Sequence, residues 1–167
     1  MNIKESLSQF NTVSLKDLNS VSLMNRVDIK FAFSKSNLIQ ILSEISKFYN
    51  VLKIDNYYIQ DYKSLYYDTV DHQFFIEHHN ERVNRYKVRF REYVNSGLTF
   101  LEIKFKNNKG KTIKKRVKVT DIPQSLSSAH KTYIAEIIGK ELVLTPQHWI
   151  NFSRITFVNK LYTERLT

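Results

Sequence analysis

The chain has 167 residues, 42% apolar and 25% charged, a profile that suits one globular domain with an ordinary core and argues against a disordered chain. No apolar run reaches the ~20 residues that span a bilayer, and the absence of cysteine excludes a disulfide scaffold, a thiolate zinc site, an iron–sulfur cluster and a cysteine nucleophile. The net charge of +10 is concentrated: Arg82 to Lys118 holds thirteen Lys or Arg against Glu92 and Glu102, a net +11 in 37 residues, so the rest of the chain sums to −1. Such a segment predicts a polyanionic partner.

Met1 to Phe10 includes Glu5 and lacks a hydrophobic block, so no signal peptide is expected and a cytoplasmic location is. Residues 1–23 read as a short helix and an arm that docks on a main body formed by 24–167. Asn25 to Phe33 alternates, Arg26, Asp28 and Lys30 against Val27, Ile29 and Phe31, and predicts a strand. Leu38, Ile41, Leu42, Ile45, Phe48 and Tyr49 recur at helical spacing; Ser34 or Ser36 could cap that helix, and Asn37 with Gln40 fits a capping box.

Lys63 to Thr69 predicts a strand, and His72 to Asn80 a polar loop or short helix. Asn84 to Tyr93 sets Arg85, Lys87, Arg89 and Arg91 against Tyr86, Val88 and Phe90. Leu98 to Lys106 sets Phe100, Glu102, Lys104 and Lys106 against Leu101, Ile103 and Phe105. Asn95-Ser96-Gly97 is a hairpin turn between them. Lys111 to Val119 completes a three-strand meander, with Lys114, Arg116 and Lys118 opposite Ile113, Lys115 and Val117. Ser127 to Gly139 predicts a helix that stops at glycine, Asn151 to Asn159 a further strand, and Leu161 to Thr167 the start of another.

A basic strand face turned to water is the ordinary reading of this alternation. Two features weigh against it. Like charges on adjacent strands repel and are normally mixed with acids, which are scarce here. The opposite face is apolar on every strand, so helices packed on it would leave the charged face inward. The expected fold is therefore α+β: a closed antiparallel β-barrel with a charged interior and helices outside. The three glycines stand alone and no GxxxxGK or GxGxxG occurs, so any phosphate is held by long cationic side chains.

Met24-Asn25-Arg26-Val27-Asp28-Ile29-Lys30-Phe31, Ser64-Leu65-Tyr66-Tyr67-Asp68-Thr69, Tyr86-Lys87-Val88-Arg89-Phe90-Arg91-Glu92-Tyr93 and Phe100-Leu101-Glu102-Ile103-Lys104 follow one another in that order. This series resembles the VTC domain, the polyphosphate polymerase domain of the vacuolar transporter chaperone, within the triphosphate tunnel metalloenzyme superfamily. The resemblance implies that the barrel is a basic tunnel, complete or incomplete, for ATP, another triphosphate or polyphosphate. It implies catalytic roles for Lys30, Arg89, Arg91 and Lys104, and substrate contacts from Lys87, Lys114, Lys115, Arg116, Arg154 and Arg165. Which of Lys114, Lys115 and Arg116 points inward stays open by one register.

A divalent metal, Mn or Mg, is implied as cofactor, with Glu102 its matched ligand and Asp28 the other available acid. The first strand departs from the superfamily's Glu-x-Glu-x-Lys, reading Arg26-x-Asp28-x-Lys30. The family is expected to continue past Thr167, where later strands supply a further metal-binding glutamate. A membrane-protein partner also fits the resemblance. The expected activity is ATP-dependent synthesis of polyphosphate; a triphosphatase, a cyclase or a non-catalytic polyphosphate sensor uses the same tunnel. Nucleic-acid binding ranks below these, because the aromatics mostly face away from the basic residues, Phe100 excepted. Asp68, Asp71, His72, Glu77, His78 and His79 cluster locally, but no pair has the one-face helical spacing of a metal motif and His72 to His79 reads as a surface loop, so no dedicated metal site is expected there.

Overall fold

The computed structural model describes residues 2–20 and 28–167. Along the chain run α1 (Ile3–Leu7), β1 (Thr12–Val13), α2 (Leu15–Ser20), α3 (Leu38–Ile45), β2 (Tyr49–Leu52) and β3 (Ile59–Asp68). Next come α4 (Gln73–His79), β4 (Arg85–Tyr93), β5 (Leu98–Lys106) and β6 (Thr112–Val119). The chain then forms α5 (Ser128–Ile138), β7 (Thr145–Ile155), β8 (Phe157–Asn159) and β9 (Arg165–Leu166). Two compact units result: Met1–Gln60 with Ser153–Thr167, and Asp61–Phe152.

In the first unit the strand order is β1-β2-β8-β9, with β1 parallel to β2 and the other pairs antiparallel. Helix α1 opens on a reciprocal cap, the Asn2 side chain accepting from the Glu5 N–H and the Glu5 carboxylate from the Asn2 N–H, both at 2.9 Å. Its Leu7 is fully buried with Phe10, Leu42, Val51 and Phe157, and the Phe10 and Phe157 rings lie 5.1 Å apart. The N-terminal arm thus contributes core to this unit.

In the second unit a five-stranded sheet runs β6-β5-β4-β3-β7, and its β3–β4, β4–β5 and β5–β6 pairs are antiparallel. Period-two alternation gives it an apolar face. Leu65, Tyr67, Val88, Phe90, Leu101 and Ile103 are buried there beneath Phe74 of α4, Ile134 of α5 and Leu144. The Tyr67 hydroxyl donates to the Pro123 carbonyl at 2.5 Å, which satisfies the one polar atom that this ring carries inside. Ser127 caps α5 by accepting from the His130 N–H, and Gly139 ends it at φ 83°, a left-handed turn that glycine adopts without strain. Helices do cover the apolar back of the meander, as the alternation required.

The structure corrects several expectations. Among the described residues neither sheet closes into a barrel: β6 and β7 are the edges of the larger sheet. Of the strand expected over Asn25 to Phe33, residues 25–27 lie outside the described residues. Residues 28–33 form no strand and are exposed, because no described strand offers them a ladder. The helix expected to reach Tyr49 ends at Ile45, since Tyr49 pairs with Asn159 in β2–β8. Asn37 makes no side-chain cap; Ser34 instead accepts from the Ser36 N–H and starts a short 3-10 turn. The strand expected over Asn151 to Asn159 is two, broken at Thr156.

Phe90 is fully buried at the centre of the larger core. Phe90→Ala is expected to cost about 3–5 kcal/mol, the usual range for a truncated core aromatic. The shift in urea midpoint measures it, and a loss under ~1 kcal/mol would show that this face is not the core.

Candidate functional site

The opposite face of the five-stranded sheet collects the charge. Antiparallel register sets its rows. Tyr66, Arg89, Glu102 and Arg116 lie abreast across β3, β4, β5 and β6. Lys87, Lys104 and Lys114 form the row on one side of it, and Ser64, Arg91, Phe100 and Lys118 the row on the other.

Glu102 is the hub. It is 0% exposed, and its Oε2 accepts from Arg89 Nε at 2.9 Å and Nη2 at 2.7 Å. Its Oε1 accepts from Lys114 Nζ, which reaches diagonally from the adjacent row, and from the Tyr93 hydroxyl at 3.4 Å. Burial pushes the Glu102 carboxyl up, but the Lys114 hydrogen bond and the Arg89 charge outweigh it and hold the group below its ordinary value. Arg89, itself buried, gives its remaining Nη1 to the Tyr66 hydroxyl at 2.7 Å.

Arg91 is held differently. Its Nε donates to Ser64 Oγ at 3.0 Å, and its guanidinium lies over the rings of Tyr62 at 5.3 Å and Phe152 at 5.2 Å. Among the described residues it has no carboxylate within ion-pair distance, and neither do Lys87 or Lys104. Desolvation, with Arg85 and Arg89 nearby, lowers Lys87. Lys104 is lowered further, to about 8, first by desolvation and then by the charges of Arg89, Lys114 and Arg91, against which Glu102 pulls. Burial and the Arg89 charge also lower Arg91, which remains a cation at any ordinary pH.

The face therefore brings together Lys87, Arg89, Arg91, Glu102, Lys104, Lys114 and Arg116. Lys115 pairs with Ile103 and stands on the opposite side of β6, which settles the open register in favour of Lys114 and Arg116. Lys30 and Asp28 lie in the exposed residues 28–33 of the first unit, Arg154 in the β7 portion that belongs to that unit, and Arg165 on β9. The residues missed by sequence reasoning are Ser64, Tyr66, Tyr62, Phe152 and Tyr93. Ser64 and Tyr66 were legible as alternate positions of one strand. Tyr93 shares the parity of Arg91, so Phe100 is not the single aromatic on the charged face.

The VTC domain matches residues 25–167. The chain belongs to the VTC domain family. No curated protein matches the sequence. One similar solved structure is a candidate adenylate cyclase from Vibrio parahaemolyticus, with 8% identity and a TM-score of 0.38 over 77% of this chain. This chain spans 57% of the length of that one. Among the described residues no helix is long and apolar enough to cross a membrane.

The divalent ion implied for this family does not fit Glu102 as it stands. Both oxygens already accept from cations, and among the described residues no three of His, Asp and Glu gather at metal-binding distance. Asp68 is likewise spent: it accepts from the Phe74 and Phe75 N–H groups, each at 2.9 Å, at the start of α4.

Lys104 generates a pH test. Its folded value of about 8 lies below the ordinary 10.5, so from about 8 to 10.5 the unfolded chain binds more protons than the folded one. Stability should rise with pH across that window, and Lys104→Met should remove the rise. Urea midpoints of both proteins from pH 7 to 10.5 check it; parallel profiles would place Lys104 in water.

Proposed function

We propose that the cationic face of β3–β6 binds a chain of phosphates, as triphosphate or polyphosphate, and that the VTC domain uses it to extend polyphosphate from ATP. One observation carries the reading: Arg91 is buried and Lys87 and Lys104 are half-buried on one face, with no carboxylate partner among the described residues. A cation so placed is costly unless an anion meets it. Several cations along adjacent strands match a ligand whose charge repeats along its length.

In this reading Arg91 and Lys104 contact phosphate oxygens directly, and Arg89 and Lys114 do so from their places beside Glu102. Lys87 and Arg116 extend the face at its two sides. The terminal oxygen of an acceptor phosphate attacks the γ-phosphorus of ATP, the bond to the bridging β–γ oxygen breaks, and the nucleoside diphosphate leaves. Phosphoryl transfer asks a protein chiefly for position and for stabilisation of spreading negative charge, which this face supplies. Mn or Mg enters this reading as the counter-ion of the phosphate substrate.

The state of the aromatic rings favours phosphate chains over nucleic acid. Tyr86 and Phe90 lie in or against the helix-covered core, while on the charged face the rings of Tyr62 and Phe152 are covered by Arg91 and that of Phe100 by Arg116, so they are already taken by guanidinium groups.

Calorimetric titration with tripolyphosphate at physiological salt tests the reading, followed by an ATP-dependent assay of chain growth. Arg91→Gln with Lys104→Met removes two charge-assisted contacts of about 1.5–3 kcal/mol each, so affinity should fall ~100-fold or more. The same double variant should still fold, because neither cation has a carboxylate partner among the described residues and Arg91→Gln gives up only the Ser64 hydrogen bond and the contacts with Tyr62 and Phe152. Lys115→Ala, on the other side of β6, should bind as the wild type does. Equal binding by all three proteins would sink the site assignment, and preference for single-stranded nucleic acid over tripolyphosphate would replace the ligand.

A further inference from the structure

We infer that Glu102 is a positioning anion, which holds Arg89 and Lys114 in register for an arriving phosphate chain, and is not a ligand of a metal ion. The inference deepens the phosphate-chain reading and rests on it.

The argument begins with acceptor capacity. An ionised carboxylate offers about four lone-pair sites. At Glu102 Arg89 takes two contacts on Oε2, while Lys114 and the Tyr93 hydroxyl meet Oε1. The side chain has no exposed surface from which to offer more. A divalent ion here would have to displace the two cations and then sit beside them. Arg89, Lys104 and Lys114 would all repel it, since each carries positive charge next to this carboxylate.

For a phosphate chain the same arrangement is useful. Arg89, Lys104, Lys114, Arg91 and Arg116 crowd onto three strands, and left alone they would spread into water. Glu102 stands at the middle strand, so one carboxylate ties β4 to β6 through Arg89 and Lys114. The chain of contacts continues through Arg89 to Tyr66 on β3 and so crosses four strands. The cations are thereby fixed before the ligand comes, and the ordering cost is met at folding instead of at binding. No acidic residue other than Glu102 pairs with Arg89 or Lys114 among the described residues.

The test uses Glu102→Gln, which keeps shape and removes charge, and Glu102→Asp, which keeps charge but is too short to reach both cations. Tripolyphosphate affinity is measured calorimetrically with Mn²⁺ and with EDTA, and thermal midpoints are taken with and without tripolyphosphate. The positioning role predicts that Glu102→Gln melts lower than wild type in EDTA, that it binds tripolyphosphate more weakly, and that tripolyphosphate therefore raises its midpoint less than that of the wild type. It also predicts that the affinity ratio with and without Mn²⁺ stays within ~2-fold of the wild-type ratio. Glu102→Asp should fall between the two. Failure of Glu102→Gln to fold in EDTA, with the Asp variant folded, supports the same role, since no metal is present to lose. The inference is overturned if Glu102→Gln keeps its midpoint and its metal-free affinity but loses the Mn²⁺ gain. If wild type binds no tripolyphosphate, the phosphate reading fails by itself, and a wild-type midpoint for Glu102→Gln in EDTA then also removes the clamp.

Discussion

A charge taken out of water must find its opposite, and in the larger sheet one carboxylate serves a crowd of cations. Glu102 holds Arg89 and Lys114 and has no exposure of its own. Removing one partner of such a pair costs about 3–5 kcal/mol, because the other charge is stranded. The geometry of the charged face therefore hangs on this residue. The remaining cations are placed relative to it by register, Lys104 two residues further along β5 and Arg116 directly opposite on β6.

That arrangement needs a stiff back. The apolar positions of the same strands supply it, since each cation alternates with a residue of the core: Val88 and Phe90 flank Arg89, and Leu101 and Ile103 flank Glu102. A one-residue slip of β5 would send Glu102 into the helix-covered core and Ile103 among the cations, so the hydrophobic pattern and the charge pattern enforce the same register. Helix α5, stopped by Gly139, and Phe74 of α4 close over that back. Packing and electrostatics are thus two faces of one alternation.

The same alternation explains what could be read in advance. The meander β4–β5–β6, its turn at Gly97 and the glycine stop of α5 were legible because their signals are local and strong. The pairing of Glu102 with Arg89 followed from no spacing rule, since it depends on which residues stand opposite across strands. Alternation could place Ser64 and Tyr66 on one face of β3, but their pairing with Arg91 and Arg89 was hidden for the same reason. The break at Thr156 and the short strand β2 are set by partners distant in the chain, Tyr49 with Asn159 and Val51 with Phe157. The alternation of Asp28 to Phe33 looked as good as that of β4, yet the described residues hold no neighbour to pair with it. Pattern states which face a strand would show; only a partner makes it a strand. The later arginines, Arg154 and Arg165, were implied by the resemblance as substrate contacts, and both fall in the other unit.

Among the described residues strand β6 is an edge of its sheet, and seven of its eight residues are exposed. An open edge with free N–H and C=O groups is a template for a second copy of itself. Here that template carries Lys114, Lys115, Arg116 and Lys118 within Thr112–Val119. Two such edges meeting would set four positive charges against four, a repulsion that opposes their pairing. A long anion lying along this strand would neutralise those charges and so lift the repulsion.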